Sequence, residues 1–410
     1  MTERMDALML PSNWQRVRLG DIAEIIGGGT PSTQITSFWN GSINWLTPTE
    51  IGITKYVYKS QRTITPLGLK NSSAKLLPIG TILLTSRASI GDCAILKVVA
   101  TTNQGFQSLI PLEKINNEFL YYLILTLKNK LLKLASGSTF LEVSPNKIKN
   151  LLIPLPPLNE QIAIANILSS LDRYLYALDA LILKKEGVKK ALSFELLSQR
   201  KRLKGFNQAW QRVRLGDIGI TISGLVGKTK QDFINGNAKY ITFLNVLNNV
   251  IIDTSILENV KIYPNEKQNS FKKYDLFFNT SSETPKEVGM CAVLLDDIDQ
   301  VFLNSFCFGF RIFDKAVDSL FLSYLINSEI GRKAFENLAQ GSTRYNLSKS
   351  GFNNICLFLP PLNEQIAIAN ILSDLDNENA SLKNKKRQFE NIKKALNHDL
   401  MSAKIRVLEK

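Results

Sequence analysis

Histidine is almost absent from this chain: His398 is the single one in 410 residues. One imidazole cannot build a His-rich metal site, and any histidine-based catalytic triad would have to use that residue near the C-terminal end. The four cysteines, Cys93, Cys291, Cys307 and Cys356, show no Cys-x-x-Cys spacing. Neither a zinc ribbon nor a disulfide framework is indicated, and buried, reduced thiols are expected. No run of ~18 apolar residues exists, so no segment reads as a membrane span. Met1 to Trp14 carries Glu3 and Asp6 and lacks the apolar stretch of a signal peptide. A cytoplasmic protein is expected. Complete enzymatic motifs are missing too. Gly227-Lys-Thr229 has the end of a phosphate-binding loop, but the first glycine such a loop needs falls at Ile222. Gly27-Gly-Gly29 lacks the dinucleotide-binding register and reads as a flexible turn. Amino-methyltransferases orient their target with Asp/Asn-Pro-Pro-aromatic, whereas both Pro-Pro pairs here are flanked by leucine, Leu155 and Leu158, Leu359 and Leu362. Any catalysis is expected to belong to partners.

What is present begins with charge. Fifty Lys plus Arg against 36 Asp plus Glu give +14, a balance suited to a polyanion such as nucleic acid. With 44% hydrophobic and 21% charged residues the composition is ordinary for a globular protein, and 410 residues suggest two to three domains. The positive charge is uneven. Residues 14–155 hold 15 basic against 7 acidic residues, and residues 210–359 hold 16 against 15.

The chain is an internal repeat. Trp14-Gln-Arg-Val-Arg-Leu-Gly-Asp-Ile22 recurs letter for letter as Trp210 to Ile218, an offset of 196. Leu155-Pro-Pro-Leu-Asn-Glu-Gln-Ile-Ala-Ile-Ala-Asn-Ile-Leu-Ser169 recurs as Leu359 to Ser373, an offset of 204. Each half reads as a globular block followed by a helical block. In the globular blocks, short apolar runs such as 80–85 and 274–279 are bounded by Gly, Ser and Asn, as strands are. Helical periodicity is expected only near their ends, at 119–134 and 320–338. The blocks are therefore α/β (α+β), in two copies.

From Ile164 onward, apolar residues step at heptad spacing through Leu168, Leu171, Leu175, Leu178, Ile182, Leu192, Leu196 and Leu203, with Lys185 and Lys189 interrupting. Ile368, Leu372, Leu375, Leu382, Phe389, Leu396, Leu400 and Val407 repeat the pattern, interrupted by Asn379, Lys386 and Lys393. Two long helices forming an antiparallel coiled coil with pseudo-two-fold symmetry are expected. Pro157 suits a first turn, Asn159 a cap and Gly205 a stop. About 46 residues at ~1.5 Å each give a spacer of roughly 70 Å. The resulting division is 1–155, 156–205, 206–359 and 360–410.

Coiled-coil cores are indifferent to most outward positions, yet Asn159, Glu160, Gln161 and Asn166 reappear as Asn363, Glu364, Gln365 and Asn370. Since the blocks between the duplicated segments diverge, these residues read as one partner-binding surface presented twice. This arrangement resembles the specificity subunit of type I restriction-modification systems. The most specific pieces are the two duplicated segments together with Leu83-Leu-Thr-Ser-Arg-Ala-Ser-Ile-Gly91 and Thr102-Asn-Gln-Gly-Phe106. The resemblance implies two target-recognition domains, 1–155 and 206–359, alternating with two spacer helices. It implies an asymmetric two-part site in double-stranded DNA, two methyltransferase subunits and two motor-nuclease subunits. S-adenosylmethionine, ATP and Mg are then expected in those partners, with no cofactor or metal in this chain. The block 210–359 departs from the pattern, with Thr280-Ser-Ser-Glu-Thr-Pro-Lys-Glu-Val-Gly289 in place of Thr-Ser-Arg-Ala-Ser-Ile-Gly.

Candidate DNA-reading residues are polar or basic and lie on loops. Arg87, between Ser86 and Ser89, has the fork that pairs with guanine, while Asn103 and Gln104 suit adenine. Ser138, Thr139 and Lys147 suit phosphate, as do Ser342, Thr343, Arg344 and Tyr345 in the second block. Ser281 and Lys286 of the diverged loop complete the set. The competing reading is a coiled-coil scaffold with two protein- or peptide-binding globular domains, which the weak charge of the second block favours.

Overall fold

A computed structural model describes residues 10–137, 141–336, 338 and 345–407. The chain forms two compact units, residues 1–179 with 384–410 and residues 180–383. Each unit therefore contains one globular block, part of its own long helix and part of the other. The fold is mixed α/β in both blocks, with long helices at Leu158–Leu197 and Leu362–Met401.

In the first unit the duplicated opening segment forms a strand, Gln15–Arg18, that pairs antiparallel with Leu152–Leu155 just before the long helix. Leu19 N donates to Leu151 O at 2.9 Å and closes this zipper. The block between consists of a five-stranded sheet in the order 23–27, 107–111, 82–84, 93–96, 56–57, and a three-stranded sheet in the order 62–64, 39–46, 100–102. The second unit repeats this plan. Gln211–Arg214 pairs with Cys356–Leu359, and Leu215 N donates to Ile355 O at 2.9 Å. Its sheets are four-stranded (219–223, 307–312, 276–279, 291–293) and three-stranded (258–260, 238–241, 301–303). Identical letters at the block openings thus have an intramolecular use. Trp14 and Trp210 are buried, and Val17 and Val213 pack against the core that includes each helix start.

The expected helices at the block ends are each divided, into Asn117–Thr126 and Lys128–Leu134, and into Ser319–Asn327 and Glu329–Glu336. Gly27-Gly-Gly29 is not a flexible turn. A Cβ on Gly28 would lie 1.9 Å from the Asn103 carbonyl oxygen, so glycine is required by close approach of two backbones. Cys93, Cys291 and Cys307 are buried, and burial raises their thiol pKa values, while Cys356 is half-buried.

Each long helix has 40 residues, about 60 Å at ~1.5 Å per residue, somewhat shorter than the sequence reading. The first starts at Leu158, so Asn159 is inside it, and it stops at Leu197, before Gly205, with Gln199 in the left-handed region at φ 61°. In the first unit Asp172 pairs with Lys393 and Asp179 with Lys386 (2.6 Å). In the second, Lys185 pairs with Glu378 (2.7 Å) and Lys189 with Asp376. Numbers rise along one helix as they fall along the other, so the pairing is antiparallel in both units. At these contacts each helix is acidic first and basic later. Antiparallel alignment matches opposite signs, whereas a parallel one would set like charges together. Such half-exposed pairs contribute only ~0–1 kcal/mol each; their effect is on orientation, while Ile164, Leu168, Leu178, Ile182, Leu196, Ile368, Leu372 and Leu400 supply the burial.

Candidate nucleic-acid interface

Several sequence-selected residues of the first block meet on neighbouring loops. Asn103 Oδ1 accepts from Gly105 N at 2.8 Å, a local turn that shapes the 103–105 loop. Ser86 is buried; its backbone N and its Oγ both donate to Gly105 O, at 2.8 and 3.2 Å. Arg87 pairs with Glu142 at 2.8 Å, and Gln104, exposed, accepts from Thr30 Oγ1. Ser89 stands half-buried, its carbonyl accepting from Thr85 Oγ1 at 2.6 Å. Lys147 Nζ donates to Leu134 O (2.8 Å) and Ser136 Oγ (3.0 Å), and Ser136 bridges to Glu142. The loops that carry Ser86, Arg87, Asn103, Gln104 and Lys147 are thus tied together, and Ser86 and the Asn103 oxygen serve the frame itself.

The second block builds the same frame from letters that barely match. Asn304 Oδ1 accepts from Phe306 N at 2.9 Å, as Asn103 does from Gly105. Thr280 N donates to Phe306 O at 2.9 Å, as Ser86 does to Gly105. A Cβ on Gly224 would lie 2.4 Å from the Asn304 carbonyl oxygen, repeating the Gly28–Asn103 approach. The first block joins its loops by an antiparallel bridge of Arg87 with Glu142 and the ion pair between them, and the second by a short antiparallel ladder of Ser281 with Asn346 and Ser282 with Tyr345. Ser281 is buried and Lys286 is exposed. Ser138, Thr139, Ser342, Thr343 and Arg344 lie outside the described residues.

At the helix starts the structure divides the duplicated residues into two groups. Glu160, Gln161, Glu364 and Gln365 are buried. Gln161 accepts from Asn116 N (2.9 Å) and donates to Lys114 O and Pro156 O; Gln365 accepts from Asp318 N (2.9 Å) and donates to Ala316 O and Pro360 O. Glu160 accepts from Trp14 Nε1 (3.1 Å) and faces Arg406 (3.4 Å), while Glu364 is held by Arg202 through two bonds of 2.7 and 2.6 Å. These four side chains are used within the chain, because a helix that starts under a sheet must satisfy buried polar groups. Asn159, Asn166, Asn363 and Asn370 face outward, beside the exposed Ile162, Ile167 and Ile366.

One constellation was not singled out in the sequence. Tyr122 donates to Asp172, which also pairs with Lys393 of the other long helix. In the second unit Tyr324 donates to Asp376 at 2.8 Å, and Asp376 pairs with Lys189. Both carboxylates and both lysines are related by the repeat offset of 204, with the helices exchanged. Burial, and next the neighbouring carboxylate, raise both tyrosine hydroxyls above their ordinary range. Lys55, found only in the first unit, adds its amine to Tyr122 Oη and Ser169 Oγ, both at 2.8 Å, and burial lowers its pKa.

Two mixed blocks with a common loop frame, mounted on paired helices by duplicated contacts, define a recognition module used twice. Comparison with known proteins gives it a family. The model described as "Type I restriction modification DNA specificity domain" matches residues 11–185 and 207–391. The MjaIX specificity subunit of Methanocaldococcus jannaschii is 32% identical over 295 residues, 68% of each chain. The EcoR124I/EcoR124II specificity subunit of Escherichia coli is 37% identical over 161 residues, 38% of this chain and 40% of that one. Among solved structures, the type I S subunit from M. genitalium superposes with a TM-score of 0.58 at 18% identity, covering 96% of this chain and 98% of that one. The HsdS subunit from Thermoanaerobacter tengcongensis does so at 0.55 and 18%, covering 99% and 100%. The chain belongs to the type I restriction-modification DNA specificity family. It is a DNA-recognition subunit, non-catalytic, of the kind that works with DNA and with methyltransferase and restriction subunits. No helix among the described residues is long and apolar enough to cross a membrane.

Proposed function

We propose that this chain recognises an asymmetric two-part site in duplex DNA, one half-site through residues 14–155 and the other through 210–359, and delivers methyltransferase subunits to adenines in both halves. The observation that carries this reading is the shared loop frame, Gly28–Asn103 and Gly224–Asn304, bearing unlike sequences on blocks attached by like contacts. A constant frame with divergent loops suits two readers of two different sequences. The outward Asn159, Asn166 and Ile162, and their equivalents Asn363, Asn370 and Ile366, are the face offered to two copies of one methyltransferase subunit. Two motor-nuclease subunits complete a cytoplasmic complex, and S-adenosylmethionine, ATP and Mg belong to those partners. Within the loops, Arg87, Ser89, Gln104, Lys147, Lys286 and Tyr345 are the described candidates for DNA contact; Ser86, Asn103 and Ser281 position them. The long helices fix the gap between half-sites.

The test against a protein-binding scaffold is equilibrium binding of the methyltransferase-loaded complex to duplexes across a salt series. Tight binding to one two-part duplex, with log K falling steeply against log salt, is expected. Absence of any duplex preference at low salt would leave the scaffold reading standing.

A further inference from the structure

The strongest unassigned feature is a pair of loops that leave the common frame. In the first block, Gly29 N donates to Thr102 O at 2.8 Å, and the chain then runs through Thr30-Pro-Ser-Thr-Gln-Ile-Thr-Ser37. In the second, Leu225 N donates to Leu303 O at 2.8 Å, and the chain runs through Val226-Gly-Lys-Thr-Lys-Gln231. Both loops spring from the same point, beside the 103–105 and 304–306 turns, yet their sequences share nothing.

We propose that these loops, 30–37 and 226–231, are base-reading elements, each specifying one half-site by major-groove contacts. The proposal rests on the two-part DNA reading and names where within each block the letters are read. Three observations support it. First, the tips are exposed, and most of their residues are polar: Ser32, Thr33, Gln34, Thr36 and Ser37 in one loop, with Ile35 among them, and Thr229, Lys230 and Gln231 in the other, after Val226 and Gly227. Ser, Thr and Gln can pair with base edges, Gln in a bidentate manner with adenine, and Lys with guanine.

Second, each loop is braced from behind by its own block. Trp45 Nε1 donates to Gly29 O (2.9 Å), Trp39 Nε1 to Ser32 O (3.0 Å) and Thr65 Oγ1 to Ser37 O (2.8 Å). In the second loop, Gln268 grips both backbone groups of Val226, at 3.1 and 2.7 Å. Lys228 is spent on Glu266 and Lys261 O, both at 2.5 Å, and Asp232 accepts from Thr229 and from Tyr263 Oη. The Lys228 bond, first among several, pushes the Glu266 pKa down to about 2. A loop held in this way loses little entropy on binding. Gly227-Lys-Thr229 is thereby explained without a nucleotide: its lysine is a bracket, and Lys230 and Gln231 are the outward groups.

Third, the first loop sits with a residue already selected for DNA contact, since Thr30 Oγ1 donates to Gln104, and the second starts from Gly224, held against the Asn304 carbonyl. Lys230 also puts a basic group at the tip in the block whose overall charge is nearly balanced.

The test uses the complex with its methyltransferase subunit and reads the methylated motif in cellular DNA. Thr33→Ala with Gln34→Ala should relax letters in one half-site only, and Lys230→Ala with Gln231→Ala letters in the other only, the gap being unchanged. Loss of discrimination of about 5- to 150-fold per position is expected for a lost bidentate contact. Gln34→Glu, isosteric and exposed, should shift preference from adenine toward cytosine, and it guards against a misfolded alanine variant. Unaltered letters in both half-sites, with affinity uniformly weakened or not changed, would overturn the proposal. A wild-type motif that is continuous or palindromic would instead bring down the two-part reading on which it rests.

Discussion

Lys393 reaches from the second long helix to Asp172 of the first, and the same contact, with the helices exchanged, joins Lys189 to Asp376. Each carboxylate also takes the hydroxyl hydrogen of a tyrosine from the helix that closes its globular block, Tyr122 or Tyr324. Three elements distant in sequence are pinned at one point in each unit.

Replacing the tyrosine should loosen that point without emptying it. Tyr122→Phe and Tyr324→Phe each remove a hydrogen bond to a charged acceptor, worth about 1.5–3 kcal/mol, and Tyr122→Phe also takes away an acceptor of the Lys55 amine. Lowered thermal midpoints for both single variants are expected. In a double-mutant cycle Tyr122→Phe should couple with Lys393→Met, and additivity of the two would show that the contacts are independent.

The same tyrosines give the chain an alkaline limit. In the unfolded chain a tyrosine ionises near its ordinary 10, whereas the folded chain holds both protons to higher pH. Above pH 10 the folded state therefore binds more protons than the unfolded state, and stability falls as pH rises. Lys55 acts in the opposite sense but remains in both proteins compared. Between pH 9 and 11 the Tyr122→Phe, Tyr324→Phe double variant should lose less of its thermal midpoint than the parent. An equal loss would remove the tyrosines as the cause.

Glu364 and Glu160 are equivalent in sequence but not in environment. Glu364 is fully buried and doubly bonded to Arg202, whereas Glu160 meets a more exposed Arg406 at 3.4 Å. Glu364→Ala removes two charge-assisted hydrogen bonds from Arg202 and should cost about 1.5–3 kcal/mol, and Glu160→Ala should cost less. Denaturant unfolding of the two variants measures the difference, and equal losses would contradict the asymmetry.

Much of this architecture was legible beforehand because repeats and heptads are local patterns. The 204-residue offset and the steps from Ile164 and Ile368 locate both helices. What was not legible depends on distant residues meeting. Glu160 and Gln161 look like an outward surface until Trp14, Arg406 and Asn116 are brought onto them. Asn304-Ser-Phe306 resembles Asn103-Gln-Gly105 only loosely, yet both asparagines cap the same turn, since the turn needs one acceptor and tolerates the other letters. Offset arithmetic applied to charged residues would have found Asp172–Lys393 and Asp376–Lys189. Lys55 has no counterpart that could have signalled it.

Helix length should act as a ruler. Seven residues inserted after Ala180, with seven after Asn384 in the facing helix, keep the heptad faces in phase. They leave the ion pairs of each unit unchanged and add ~10 Å of helix. The recognised gap should grow by about three base pairs at ~3.4 Å each, with the half-site letters kept. Methylated-site mapping of the variant complex would show this, and an unchanged gap would refute the ruler.

The most direct measurement of the central claim is methylome sequencing of cells that express this chain with its methyltransferase subunit. One asymmetric motif, two unlike half-sites separated by a fixed unspecified gap and methylated on adenine in both, is the expected result. A continuous motif, or a palindrome with two equal halves, would contradict the assignment of one reader to each block.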